Sequence, residues 1–265
     1  MSDAAPIEVE QRDGVTILRL ARPAQRNALV AEMRAALTEA IPAFFADAGA
    51  GCLLLTGMGE SFCAGGDLKT FSATARPQDN RARIQYSQNW AAQLLTGQKP
   101  VVMAVNGAAV GAGFGLAMLG DVVLAGAGAF FQPAFPLVAM VPDLALGQTL
   151  PRAVGSQRAR DILLTNRRVD AAEAGAIGLV ARVVADDQLF DEAFTVARRL
   201  AQGPRLALGL TKALVRQGFD LDTPAYFELE AAYQAVAMGS ADHAEGLDAF
   251  IAKRRPRFGA EEAGG

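Results

Sequence analysis

"VNGAAVGAGFGLAM" (residues 105–118) sets four glycines in fourteen positions directly after the apolar run Val101–Val105. Three architectures use such a segment. It can cradle a dinucleotide phosphate, pack membrane helices closely, or present bare backbone N–H groups to a ligand. The dinucleotide fingerprint requires G-x-G-x-x-G and an acid about twenty residues later for the ribose. Gly111, Gly113 and Gly115 give G-x-G-x-G, Leu116 stands where the third glycine belongs, and "FQPAFPL" (131–137) offers no acid. That reading fails twice.

The membrane reading draws on a real feature, since Asp121 and Asp143 are the only charged residues between Pro100 and Pro151. Asn106-Gly107, Gly126, Gly128, Pro133 and Pro136 interrupt both apolar stretches, and neither a Lys/Arg bias nor a Trp/Tyr belt flanks them. A buried core with no membrane partner is the expectation. The third reading has a strand, an Asn-Gly turn and a helix starting near Gly111–Ala112, whose first N–H groups lack intrahelical acceptors. A second loop, "SFCAGGDL" (61–68), follows its own strand in the same way. Each loop could offer one N–H to a single oxygen, an oxyanion hole. Composition alone leaves ordinary tight turns equally open.

The chain has 265 residues, 51% of them hydrophobic and 20% charged, enough for a full core. A net charge of −3 argues against nucleic acid as a partner. The basic run "AKRRPRF" (252–258) reads as a solvated or subunit-contacting tail. Two cysteines, Cys52 and Cys63, and one histidine, His243, give neither a disulfide framework nor a zinc ligand set. The first residues lack the pattern of a signal peptide, so a cytoplasmic location is expected.

Short apolar strands alternate with helical stretches. Ile7–Glu10 and Val15–Leu20 flank a hairpin signal at "RDG", and "CLLLTG" (52–57), "PVVMAV" (100–105) and "DVVLAG" (121–126) read as buried strands. Leu29, Met33, Leu37, Ile41 and Phe45 recur at helical spacing, with Asn27 placed as N-cap. After about Val184 the pattern is helical throughout. The fold class is therefore α/β, with an α/β core over 1–200 and, over 201–265, a helical cap or assembly module.

"GMGESFCAGGDLKTF" (57–71) together with "KPVVMAVNGAAVGAGFGLAMLGDVVLA" (99–125) resembles the enoyl-CoA hydratase/isomerase, or crotonase, superfamily. The resemblance runs from "RPAQRNAL" to "DHAEGLDAFIAKRRPRF". It implies a spiral of ββα units, a homotrimer or dimer of trimers with the C-terminal helices between subunits, and an acyl-CoA thioester as substrate. Coenzyme A is then part of the substrate and no separate cofactor or metal is implied. Two backbone N–H groups would hold the thioester oxygen as it becomes an enolate, at positions matching Ala64 and Ala112. Ala64, Gly65, Gly66, Asp67 and Leu68, with Gly111 and Ala112, would line the substrate channel, and residues 71–95 would close the acyl pocket. Lys212 and Lys253–Arg255 would be contacts for the CoA phosphates.

An enolate hole needs a proton carrier. Hydratases of the family carry two glutamates, and the matching positions here hold Gly115 and Ala134. Simple hydration is therefore not expected. Asp143 remains, a lone carboxylate in a long uncharged tract, and burying an unpaired carboxylate is costly. It is either a helix cap after Pro142 or a general base whose pKa is lifted by apolar surroundings. The resemblance favours the base, because several isomerases of the family place their single acid here. "FxxAFxxxxxVPD" (131–143) with "LPRxVG" (150–155) resembles the ring-opening isomerase type of phenylacetate breakdown. The expected activity is isomerisation of an unsaturated acyl-CoA. Hydration through Asp143 and a catalytically silent acyl-CoA binder are the alternatives. Asp121, Asp67, Cys63 and His243 read as structural.

Overall fold

The computed structural model describes residues 5–68 and 74–259. The chain opens with the hairpin β1 (Ile7–Arg12) and β2 (Val15–Leu20), paired in register from Ile7–Leu20 to Arg12–Val15. Its turn residues Asp13 and Gly14 both have positive φ, 53° and 76°, as a twist-matched two-residue hairpin requires. There follow α1 (Ala31–Ala46), β3 (Cys52–Gly57), α2 (Pro77–Thr96), β4 (Val101–Val105), β5 (Ala108–Val110), α3 (Ala112–Ala117), β6 (Val122–Gly126) and β7 (Phe130–Gln132). The remaining elements are α4 (Leu146–Val154), α5 (Ser156–Thr165), β8 (Val169–Asp170), α6 (Ala171–Ala176), β9 (Arg182–Val184) and four further helices, α7 (Leu189–Ala201), α8 (Arg205–Gln217), α9 (Thr223–Met238) and α10 (Ala241–Ile251).

One sheet runs β1-β2-β3-β4-β6-β9, parallel from β2 onward, and a smaller one runs β5-β7-β8. Side chains of a strand alternate between faces, and both faces of the main sheet are covered. Leu53, Leu55 and Met103 face a core shared with α1 and α2, whereas Leu54, Val102 and Ala104 face Ala193, Ala197 and Ala201 of α7. Double coverage explains why these strands read as continuous apolar runs. The tract from Pro100 to Pro151 is thus a set of short strands, short helices and turns, and no helix among the described residues is long and apolar enough to cross a membrane.

Two details of α1 differ from the sequence pattern. Its buried stripe ends on Phe44 rather than Phe45, because the helical period of 3.6 advances past a strict spacing of four. Its N-cap residue is Val30, and Asn27 lies earlier in a left-handed conformation, fully buried. The Asn27 amide donates to Met58 O and Ser61 O and accepts from the Arg22 N–H, so it pins the loop after β3 instead of capping a helix.

The same loop is stitched to the glycine segment. Cys63 N–H donates to Ala108 O and Val110 N–H donates to Cys63 O, both at 3.0 Å. The backbones approach so closely that a Cβ on Gly113 would sit 2.0 Å from Cys63 O. Gly113→Ala is therefore expected to lower stability by about 1–3 kcal/mol or more, read from the shift of the denaturation midpoint, because two paired backbones must separate.

Lys212 of α8 ties the helical end of the chain to the core. Its side chain is 8% exposed, and Nζ donates to Leu94 O at 2.7 Å, Lys99 O at 3.2 Å and Asp121 Oδ2 at 2.7 Å. Asp121 also accepts from Val101 N–H, which accounts for one of the two acids in the uncharged tract as a structural residue. Lys212 is thus committed inside the fold and is not presented to a phosphate.

Candidate active site

A narrow cavity opens where the two glycine loops meet α1, α2 and the turn before α4. Gly66, Ala112, Asp143, Arg34, Arg83 and Ser87 are among the residues lining it, and the volume open to a water centre is about 30 Å³. Asp143, Ala112 and Gly66, expected in the site from the sequence, therefore share one enclosure.

Asp143 is delivered by a strained turn. The two residues after it, Leu144 and Ala145, have φ of 45° and 60°, a left-handed conformation that costs non-glycine residues on the order of 1–3 kcal/mol each. Leu146 N–H donates to Asp143 O at 3.0 Å and closes the turn. The N-cap position of α4 is Ala145, with no side-chain cap, so the carboxylate is not spent on capping. Asp143 Oδ1 is buried with no hydrogen-bond partner among the described residues. Burial pushes this carboxyl up to about 6, against the lowering effects of its own backbone N–H and the Arg34 charge.

Gly115 makes room for this turn. A Cβ there would lie 2.9 Å from Leu144 Cβ and 3.0 Å from Asp143 O. A glutamate at 115 and this path of residues 143–144 exclude each other. At the other hydratase position, Ala134 has φ of 60° and its N–H donates to Asn166 Oδ1 at 2.7 Å.

The backbone amides divide into used and unused. Ala64 N–H donates to Arg26 O at 2.9 Å, and Gly111 N–H donates to Gln132 O at 2.9 Å. Ala64 was the expected oxyanion donor, and its hydrogen is already committed, which corrects that expectation. Gly65 has φ of 88° and turns the strand over, its carbonyl accepting from Leu29 N–H. Gly66 then lines the cavity, and neither Gly66 N–H nor Ala112 N–H makes a hydrogen bond among the described residues. Gly66 and Ala112 are thus the pair of unspent amides. Any side chain on Gly65 would press within 2.6 Å of Val110 O, so the crossing of these loops depends on glycine there.

Of the other expected channel residues, Asp67 is half-buried and Leu68 is exposed. Residues 71–73, the start of the expected acyl-pocket tract, lie outside the described residues. Cys63 is fully buried beside the loop crossing, and burial pushes its thiol up to about 12, which makes it inert packing. His243 sits in the first turn of α10, where Ser240 caps the helix through the His243 N–H.

The sequence pattern missed Arg34, Arg83 and Ser87. Arg83 and Ser87 stand one helical turn apart on α2, a spacing that puts them on one face. Arg34 is the charged residue between buried Met33 and Leu37 of α1. A cation inside an otherwise apolar stripe was the available signal.

Known proteins agree with this architecture. The enoyl-CoA hydratase/isomerase family model matches residues 10–261. The 1,2-epoxyphenylacetyl-CoA isomerase of Escherichia coli (strain K12) is 38% identical over 92% of this chain and 95% of its own. Among solved structures, an enoyl-CoA hydratase/isomerase from Cupriavidus metallidurans CH34 superposes with a TM-score of 0.91 at 34% identity, covering 99% of this chain and 100% of its own. An enoyl-CoA hydratase from Polaromonas sp. JS666 also reaches 0.91, at 30% identity over 96% and 99% of the two chains. With a match spanning nearly every described element, this chain belongs to the enoyl-CoA hydratase/isomerase family, whose members act on acyl-CoA thioesters.

Proposed function

We propose that this protein is an acyl-CoA isomerase that moves a double bond through a thioester enolate. The observation that carries the reading is the placement of a carboxylate with one buried, unpartnered oxygen in the same cavity as two unspent backbone amides. Gly66 N–H and Ala112 N–H hold the thioester oxygen. Asp143 takes a proton from the α-carbon of a 3-enoyl-CoA, the negative charge spreads onto that oxygen, and the same carboxyl returns a proton to the γ-carbon. The product is the conjugated 2-enoyl-CoA. No redox change occurs, and coenzyme A enters only as part of the substrate.

A pKa near 6 suits this cycle, since a carboxylate must accept a proton near neutral pH and then give it up. The rate constant kcat/KM is expected to rise with pH and level off above about 6, as measured over a pH series. The relative acting on 1,2-epoxyphenylacetyl-CoA supports a ring-bearing acyl group of that kind as a substrate. Relatives that are enoyl-CoA hydratases support a second reading, in which Asp143 directs water. Mass spectrometry of the product formed from a 3-enoyl-CoA decides between them. The isomerase reading expects an unchanged mass with new ultraviolet absorbance of the conjugated thioester, and a product heavier by one water would overturn it.

The C-terminal helices support an oligomer. No residue of α9 is buried, and Phe227, Met238, Phe250 and Ile251 are 61%, 59%, 83% and 77% exposed. Exposed apolar residues in this number mark a surface that is covered in the assembled state. A homotrimer, or a dimer of trimers, is the assembly we infer.

A further inference from the structure

The proton transfer leaves the guanidinium of Arg34 without a role, although it stands in the cavity where that transfer takes place. Arg34 comes from α1, is half-buried and lines the same enclosure as Asp143, Gly66 and Ala112. Its Nη1 donates to Leu29 O at 2.6 Å. Leu29 N–H in turn donates to Gly65 O at 2.8 Å, where the chain turns toward Gly66. The cation is therefore docked on the same backbone pairing that sets the hole. Arg34 and Asp143 form neither a hydrogen bond nor an ion pair with each other among the described residues.

That separation decides what the charge can do. A guanidinium fork bonded to the carboxylate would occupy the oxygens that must take up a proton. A cation held off by its own anchor acts through space, and a nearby opposite charge still favours the ionised carboxyl. Burial raises the Asp143 pKa, while its own backbone N–H and the Arg34 charge lower it. Charge at Arg34 is itself sustained: burial and Arg83 lower its pKa, Asp143, Glu32 and Tyr86 raise it, and a guanidinium stays protonated at any working pH. Two further titratable groups belong to the elements around Asp143. Arg83 of α2 lies near Arg34 and has a further interaction of its own. Cys63 of the loop after β3 is a neutral thiol, pushed up to about 12 by burial. The short helix α3 brings no titratable side chain. We propose that Arg34 is a positioning residue for the proton transfer, a cation anchored on Leu29 O that keeps Asp143 ionised as a base without clamping it. This rests on the reading that Asp143 carries the proton.

The titration of Asp143 itself is the test, read by nuclear magnetic resonance of protein with isotope-labelled aspartate carboxyls. The Asp143 signal is assigned by its loss in Asp143→Asn. Arg34→Gln keeps a donor for Leu29 O and removes the charge, and its titration midpoint is expected to lie above that of the wild type by about half a pH unit or more. Arg34→Lys retains the charge and is expected to stay near wild type, and Arg34→Met is the second neutral variant if Arg34→Gln does not fold. With a 3-enoyl-CoA, the kcat/KM profile of Arg34→Gln is expected to move the same way, so that activity lost near neutral pH returns on the alkaline side. A merely structural role would lower the rate equally at every pH. A midpoint unmoved in the neutral variant overturns the proposal, as does an equal rise in Arg34→Lys, which would trace the effect to packing and not to charge. The titration is read without substrate, so its outcome stands apart from the reaction, which the product mass tests separately.

Discussion

Asp143→Asn is expected to slow isomerisation by about 10²–10⁴-fold, the usual contribution of a positioned acid-base group, while acyl-CoA affinity stays near wild type. The amide keeps the shape of the side chain and loses only the ability to carry the proton. The same substitution is expected to stabilise the fold at neutral pH. An aspartate titrates near 3.9 when unfolded, and this one is raised to about 6. A raised acid pKa means that the folded protein binds the proton more tightly than the unfolded chain. The favourable contribution is complete below the unfolded value and is lost as pH climbs through the folded one. Above about 6 the wild-type fold carries a buried charge whose cost is on the order of 2–3 kcal/mol. Asparagine removes that charge. Denaturant titrations from acid to neutral pH should show the variant gaining on the wild type as pH rises, with the gap closing below about pH 4. A variant that loses activity and gains stability in this window marks Asp143 as a residue kept for chemistry.

Ala112→Pro deletes one donor of the hole. Residue 112 opens α3, a helix position where proline is well accepted because its N–H has no intrahelical acceptor. Gly111 before it already has φ of 56° and makes no demand for a helical conformation. The substitution therefore removes the hydrogen aimed at the enolate oxygen and leaves the helix in place. Loss of one such donor typically lowers kcat by about 10²–10³-fold, and the same loss is expected here by steady-state kinetics with a 3-enoyl-CoA. If circular dichroism and the denaturation midpoint are unchanged while activity falls, the effect belongs to the amide.

Some of this site was legible from the residues and some was not, for physical reasons. Asp143 stood out because a lone acid in a long uncharged tract must be paid for, and Ala112 because it begins a helix after a strand and a turn. The choice between Ala64 and Gly66 could not be read locally. It is made by long-range pairing: Arg26 O takes the Ala64 N–H, Leu29 N–H bonds to Gly65 O, and the positive φ of Gly65 turns the chain over between them. Asn27 went astray for a related reason, since a buried amide joining Arg22, Met58 and Ser61 leaves the same local trace as a helix cap. The main sheet was visible because burial on both faces writes itself as uninterrupted apolar runs. Arg34 and Arg83 come together only through the packing of α1 on α2 around the cavity.

The central claim is that one carboxyl, shut away from bulk water, takes the proton and gives it back. Turning over a 3-enoyl-CoA in heavy water and locating deuterium in the product by nuclear magnetic resonance tests this most directly. A shielded single carrier returns part of the original hydrogen, so the γ-carbon should gain clearly less than one deuterium per turnover. Complete deuteration at that carbon in every turnover, or unchanged turnover in Asp143→Asn, would contradict the account.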